Sequence, residues 1–128
     1  MTNKFKALKE FVHPYTFAME WREVVGDRGW TLHVYGPVNS KSEEILRFDC
    51  FEVTPHYHLG WSYRNEKFVE IEAPNPLDWT FDNLRSSFAD FAAMAGADAA
   101  YSDHTLLQMS AAIDRLQTQI HSNSAELP

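Results

Sequence analysis

The feature that most constrains this chain is a change of hydrophobic period at Ala73-Pro74-Asn75-Pro76. Before it, apolar residues recur at every second position. After it, they recur at three- and four-residue steps. A period of two belongs to strands with one buried face, and a period near 3.6 to amphipathic helices. Two prolines in three residues fit neither a helix interior nor a central strand. The chain therefore reads as α+β, with the sheet first and the helices after it. With 128 residues in all, neither side of the joint is large enough for a comfortable core of its own, so residues 1–128 read as one domain.

The strands are expected between about residues 16 and 73. Phe17, Met19 and Trp21 alternate with Ala18, Glu20 and Arg22. Gly26-Asp27-Arg28-Gly29 is turn chemistry, and Trp30, Leu32 and Val34 then alternate with Thr31, His33 and Tyr35, completing a hairpin signal. Gly36-Pro37 is expected to end that strand, and Asn39 to Glu44 to form a polar loop. A third strand, Ile45 to Val53, carries Arg47 and Asp49 on one face, and Pro55 breaks it. His56 to Tyr63 and Lys67 to Glu72 read as fourth and fifth strands joined by Arg64-Asn65-Glu66. Short connections imply antiparallel neighbours, hence a roughly five-stranded antiparallel sheet that could be strongly curled.

Two helices are expected at about 76–96 and 102–121, packed on one face of the sheet, with a frayed tail at 122–128. Phe81, Leu84, Phe88, Phe91 and Ala95 mark the inner side of the first. Thr80, or Asn75 followed by Pro76, would cap its start, and Gly96 would end it. Leu106, Met109, Ile113, Leu116 and Ile120 mark the second, which Ser102 is placed to cap.

Composition narrows the function classes. The formal net charge of -7 opposes a nucleic-acid partner or an anionic membrane surface, both of which select for surplus Lys and Arg. The single cysteine, Cys50, cannot form an internal disulfide, and it shares a face with Leu46 and Phe48, so it reads as a small buried hydrophobe. Met1 to Glu10 is polar and lysine-rich, unlike a signal peptide, and no apolar run is long enough to span a bilayer. A cytoplasmic protein is the expectation.

One polar constellation could carry chemistry. His56 and His58 stand two apart on a strand and so share a face, opposite Tyr57, Leu59 and Trp61. His33 likewise points away from Trp30, Leu32 and Val34. Arg47 and Asp49 share one face of the third strand, and Glu70 and Glu72 one face of the fifth together with Phe68. A simple meander would collect His33, Arg47, Asp49, His56, His58, Glu70 and Glu72 into one binding surface. Two histidines at i and i+2 can reach one divalent metal ion, and a carboxylate from a neighbouring strand would complete a two-histidine, one-carboxylate set suited to iron, manganese, nickel or zinc. Solvated or hydrogen-bonded histidines explain the same motif without a ligand. A His-x-His strand is also similar to the metal strand of cupins. Cupins, however, add a glutamate shortly after the pair and a histidine on a later strand. Here Glu66 falls in an expected turn and His104 in an expected helix, so the family is not carried over.

The segment Arg47-Phe48-Asp49, followed shortly by Pro55-His56-Tyr57-His58, resembles a family of small uncharacterised bacterial proteins carrying the same two elements. That resemblance implies no activity. No phosphate loop and no nucleophile elbow is present. Two functions follow. The first is a small acidic accessory protein acting through a protein partner or a second copy of itself, with no cofactor assured. The alternative is a metal-dependent enzyme using His56, His58 and a carboxylate.

Overall fold

The protein's structure, a computed structural model, describes residues 8–60 and 67–124. Six strands precede two helices: β1 (Leu8–Val12), β2 (Tyr15–Val24), β3 (Asp27–Val38), β4 (Lys41–Phe51), β5 (His56–Leu59), β6 (Lys67–Glu70), α1 (Pro76–Met94) and α2 (Asp103–Ser124). The strands form one antiparallel meander in chain order, and the sheet is not closed. Both helices lie on one face, α1 over β4 and α2 over β1. The α+β architecture read from the sequence is thus the one observed, with one strand more.

The added strand is β1. Its inward positions are Leu8, Glu10 and Val12, so a carboxylate interrupts the apolar alternation. Glu10 faces α2 and accepts a hydrogen bond from Arg115 at 2.9 Å. His13-Pro14, with a cis peptide bond, turns the chain into β2. A second correction concerns Asn39 to Glu44. Only Asn39 and Ser40 form the turn, both at positive φ (51° and 67°), and β4 begins at Lys41. Two left-handed residues make the turn whose twist suits a hairpin. The carboxylate of Asp98 accepts from both of their backbone N–H groups, at 3.1 and 2.9 Å. Gly36 and Pro37, read as a strand end, instead continue the β3–β4 ladder opposite Glu43 and Ser42.

The register places one set of side chains on the helix side: Tyr15, Phe17 and Met19 of β2, Trp30, Leu32 and Val34 of β3, Leu46 and Phe48 of β4, and Tyr57 and Leu59 of β5. The ladder slips by one residue between Val34 and Tyr35. Val34 pairs with Leu46 and Tyr35 with Glu44, so Ile45 is the unpaired residue of a β-bulge. Ile45 and Leu46 are both fully buried. Aromatic rings fill the space beneath the helices, with Tyr15 edge-on to Phe88 at 5.1 Å and Phe48 edge-on to Phe91 at 5.6 Å.

In α1, Asn75 is the cap, accepting from the Asp78 N–H at 3.1 Å, and Pro76 follows it. Phe81, Leu84, Phe88, Phe91 and Ala95 are all buried, and Gly96 takes the left-handed conformation just past the helix end. Ser102 caps α2 through the Thr105 N–H at 3.2 Å. Met109, Ile113, Leu116 and Ile120 are fully packed, whereas Leu106 is half-buried at the rim. The helix runs to Ser124, past the expected fraying point. Of the fourth expected strand, His56 to Leu59 is strand; Trp61 to Tyr63 and the Arg64-Asn65-Glu66 turn lie outside the described residues. Among the described residues, no helix is long and apolar enough to cross a membrane.

Candidate functional site

The face of the sheet away from the helices is polar, and the antiparallel register sorts it into rows. Glu20, Thr31, Asp49, His56 and Glu70 stand opposite one another across β2 to β6. The adjacent row is Ala18, His33, Arg47, His58 and Phe68. Directly opposed side chains are within contact distance, so the two rows bring His33, Arg47, Asp49, His56, His58 and Glu70 together as the sequence suggested. Glu72 lies beyond the end of β6 and is exposed, so it does not join them.

Asp49 is the centre. Its side chain is 1% exposed although it sits on the face without helices. Oδ1 accepts from the Thr31 hydroxyl at 2.8 Å and from Arg22 at 3.1 Å. Oδ2 faces Arg47 Nε at 3.2 Å, His56 Nε2 at 3.1 Å and His58 Nε2 at 3.3 Å. Burial works to raise the Asp49 pKa, but His58, Thr31, Arg47 and His56 outweigh it and hold the carboxyl far below the usual range. The group is a carboxylate at any physiological pH. Arg22 stands opposite Gly29 in the register, and its guanidinium also lies over the Phe51 ring at 5.8 Å. A Cβ on Gly29 would meet the Cys50 carbonyl oxygen at 2.3 Å.

The hydrogen-bond chemistry of the two imidazoles is unusual. His56 Nδ1 lies 2.8 Å from the Thr54 carbonyl oxygen, which only accepts, so Nδ1 carries the proton. In the neutral ring Nε2 then has a lone pair, and it is aimed at Asp49 Oδ2. Thr54 is held in turn by Asp27, whose carboxylate accepts from the N–H groups of Val53 and Thr54 at 2.9 and 2.8 Å. His58 Nε2 lies 2.9 Å from a terminal nitrogen of Arg47, which only donates, and 3.3 Å from Asp49 Oδ2, which only accepts. One ring nitrogen cannot serve both. Three potential ligand atoms, one each from Asp49, His56 and His58, lie within 4.8 Å of one another. Phe68 stacks on His56 at 4.4 Å and meets His58 edge-on at 5.6 Å, yet remains 53% exposed.

A second cluster adjoins the first. His33 Nδ1 lies 2.8 Å from Glu44 Oε2 and its Nε2 3.3 Å from Glu20 Oε1. Burial opposes charge on this ring, but the two carboxylates prevail and raise its pKa. Glu20 is also 3.7 Å from Arg22 Nε, which links the clusters. Arg22, Glu20, Thr31 and Glu44 were not singled out from sequence. For the first three the signal was there: each alternates with the inward set of its own strand. Glu44 was hidden by the bulge, which reverses the alternation just before it. Cys50 contributes nothing to this face; it lies under α1 beside Thr80, and burial pushes its thiol up to about 12.

No curated protein and no solved structure matches this chain. Residues 13–120, which run from the turn before β2 into the last turns of α2, match the model of a family described as "Domain of unknown function (DUF7700)", and the chain belongs to that family.

Proposed function

We propose that this domain binds a divalent first-row transition ion through Asp49 Oδ2, His56 Nε2 and His58 Nε2, and acts through that ion on a small ligand. The observation that carries the reading is the Thr54 carbonyl on His56 Nδ1. Metal-ligating histidines are typically fixed this way, with the distal nitrogen bonded to a carbonyl or carboxylate and the other lone pair left for the ion. Without a cation between them, a neutral His56 would set that lone pair against a carboxylate oxygen 3.1 Å away. The two Nε2 atoms stand 3.1 and 3.3 Å from Asp49 Oδ2, and ligands at about 2.1 Å from one ion stand roughly 3.0–3.4 Å apart when adjacent. Thr31 and Arg22 occupy Oδ1 and so orient Oδ2.

Nitrogen and carboxylate donors select iron, manganese, cobalt, nickel or zinc over calcium or magnesium. Such an ion supplies Lewis acidity toward an oxygen ligand or a bound water. Arg47 reaches Asp49 and His58 from the same side and so competes with the ion for both. The second reading, docking of a protein partner or a second copy on this face, draws its support from the exposed ring of Phe68.

The test is metal analysis of the purified protein after exposure to each ion and desalting. One ion per chain is expected, with loss of that ion in His56→Ala/His58→Ala and a melting temperature close to that of metal-free wild type. The Asp49 carboxylate keeps Thr31, Arg22 and Arg47 in that variant. No retained ion from the whole series would refute the metal reading, and loss of self-association in the same variant would favour the second.

A further inference from the structure

We infer that Asp27 is a positioning residue for this site. It clamps the loop between β4 and β5, the loop holds the Thr54 carbonyl on His56 Nδ1, and that bond decides which ring nitrogen is left for an ion. The last step rests on the metal reading above; the earlier ones do not.

A tight hairpin sets Asp27 in place. Val24 pairs with Asp27, leaving only Val25 and Gly26 between β2 and β3, and Gly26 takes positive φ (81°). Asp27 thereby opens β3 beside the point where β4 ends, at Phe51 opposite Gly29. Its carboxylate spans the gap to the loop. Oδ1 accepts from the N–H groups of Arg28 and Val53, both at 2.9 Å, and Oδ2 from that of Thr54 at 2.8 Å. The Glu52 N–H donates to the Arg28 carbonyl at 3.0 Å. The N–H groups of Glu52, Val53 and Thr54 are thus all committed to the start of β3, and Pro55 has none. No backbone donor within the loop is left to compete with His56 for the Thr54 carbonyl. Proline also confines the residue before it to extended backbone, which limits where that carbonyl can point. The Pro55 carbonyl accepts from the Ile71 N–H at 3.0 Å, anchoring the far end of the loop. Phe68 stacks on the His56 ring at 4.4 Å and Phe51 stands edge-on to it at 5.9 Å, which holds its plane. Burial works against a charged Asp27, yet the backbone N–H groups of Val53, Thr54, Arg28 and Glu52 hold its carboxyl below the usual range, so the clamp is closed at neutral pH. The loop selects the Nδ1–H form of His56 before any ion arrives.

Nitrogen NMR of the metal-free chain with isotope-labelled histidine reads the tautomer directly. At about pH 9, above the ordinary histidine range, His56 is expected in the Nδ1–H form alone, its signal identified by its loss in His56→Gln. Asp27→Asn keeps one oxygen for Arg28 and Val53 but turns an NH2 group, which only donates, toward the Thr54 N–H. A mixture of both tautomers is expected in this variant. Competition with a chromophoric chelator should show zinc binding weakened about ten- to a hundredfold, the range for lost outer partners of ligating histidines. Glu52→Gln breaks the 3.2 Å pair with Arg28 in the same loop and should change neither reading. If Asp27→Asn does not fold, Pro55→Ala, which adds a backbone N–H and frees Thr54, should produce the same mixture. A proton on His56 Nε2 in wild type, or a single unchanged tautomer in the variant that folds, would overturn the inference. A shifted tautomer with unchanged zinc affinity would overturn the positioning role and leave the metal site standing. A shifted tautomer in a chain whose wild type binds no zinc would remove the metal reading and leave the clamp.

Discussion

His33 is held by a carboxylate at each ring nitrogen, and only the doubly protonated imidazolium can donate to both. Around it stand Glu20 from β2, Tyr35 from its own strand, and Glu44 and Arg47 from β4. Its folded pKa is raised, so its stabilisation is fully present below the unfolded value of about 6.5 and is lost as pH rises through the folded value. A melting-temperature series from about pH 5 to 9 should decline for wild type over that window and stay flatter for His33→Gln. At low pH the variant should be less stable by roughly 1–3 kcal/mol, the scale of hydrogen bonds to charged groups. A parallel decline in both proteins would sink the claim. Asp49→Asn tests the other cluster by removing the charge that Arg22 and Arg47 share. Chemical denaturation should register a loss of about 3–5 kcal/mol, because it removes the charged partner at the buried centre of an ion-pair cluster. Residue by residue, the sequence showed which side chains share a face of their strand. It could not show which rows meet, because that depends on register between strands.

At the level of elements, the helices were the most legible part. Four of the five residues marked on α2 are fully packed, and Ile113→Ala should cost about 2–5 kcal/mol in denaturant unfolding. Leu106→Ala should cost clearly less, since that side chain sits at the rim; equal costs would mean the two sites are packed alike. The turn at Asn39 and Ser40 was misread because neither residue is glycine, the usual sign of left-handed backbone. That makes it improvable. Ser40→Gly removes a Cβ from a position at φ 67° while keeping the N–H that donates to Asp98, and should stabilise the protein by about 1 kcal/mol. A lower melting temperature would contradict this. Strand β1 was missed for a different reason: the signal of a short edge strand is weak when one inward position is a glutamate bound to a helix.

For the whole molecule, the period change at Ala73 to Pro76 told the order of the layers, and the parity of His56 and His58 told which face would be left to them. What the sequence could not tell was how deeply the middle of this face is buried. Thr31, Asp49 and His58 are buried there by one another and by long polar side chains. The β-bulge at Ile45 bears on how such a face is kept. A strand alternates like a two-state clock, and the bulge is a skipped beat: every residue before it is handed to the opposite side. Glu44 faces His33 only because of that skip, while Ile45 and Leu46 both go to the core. Straightening the strand with Ile45 still in it would turn the Glu44 carboxylate toward Tyr15 and its aromatic neighbours. Deleting Ile45 would instead close the bulge and leave Glu44 opposite Tyr35, at the loss of one buried side chain. One extra residue thus sends two adjacent apolar side chains into the core without turning over the ionic half of the β3–β4 hairpin.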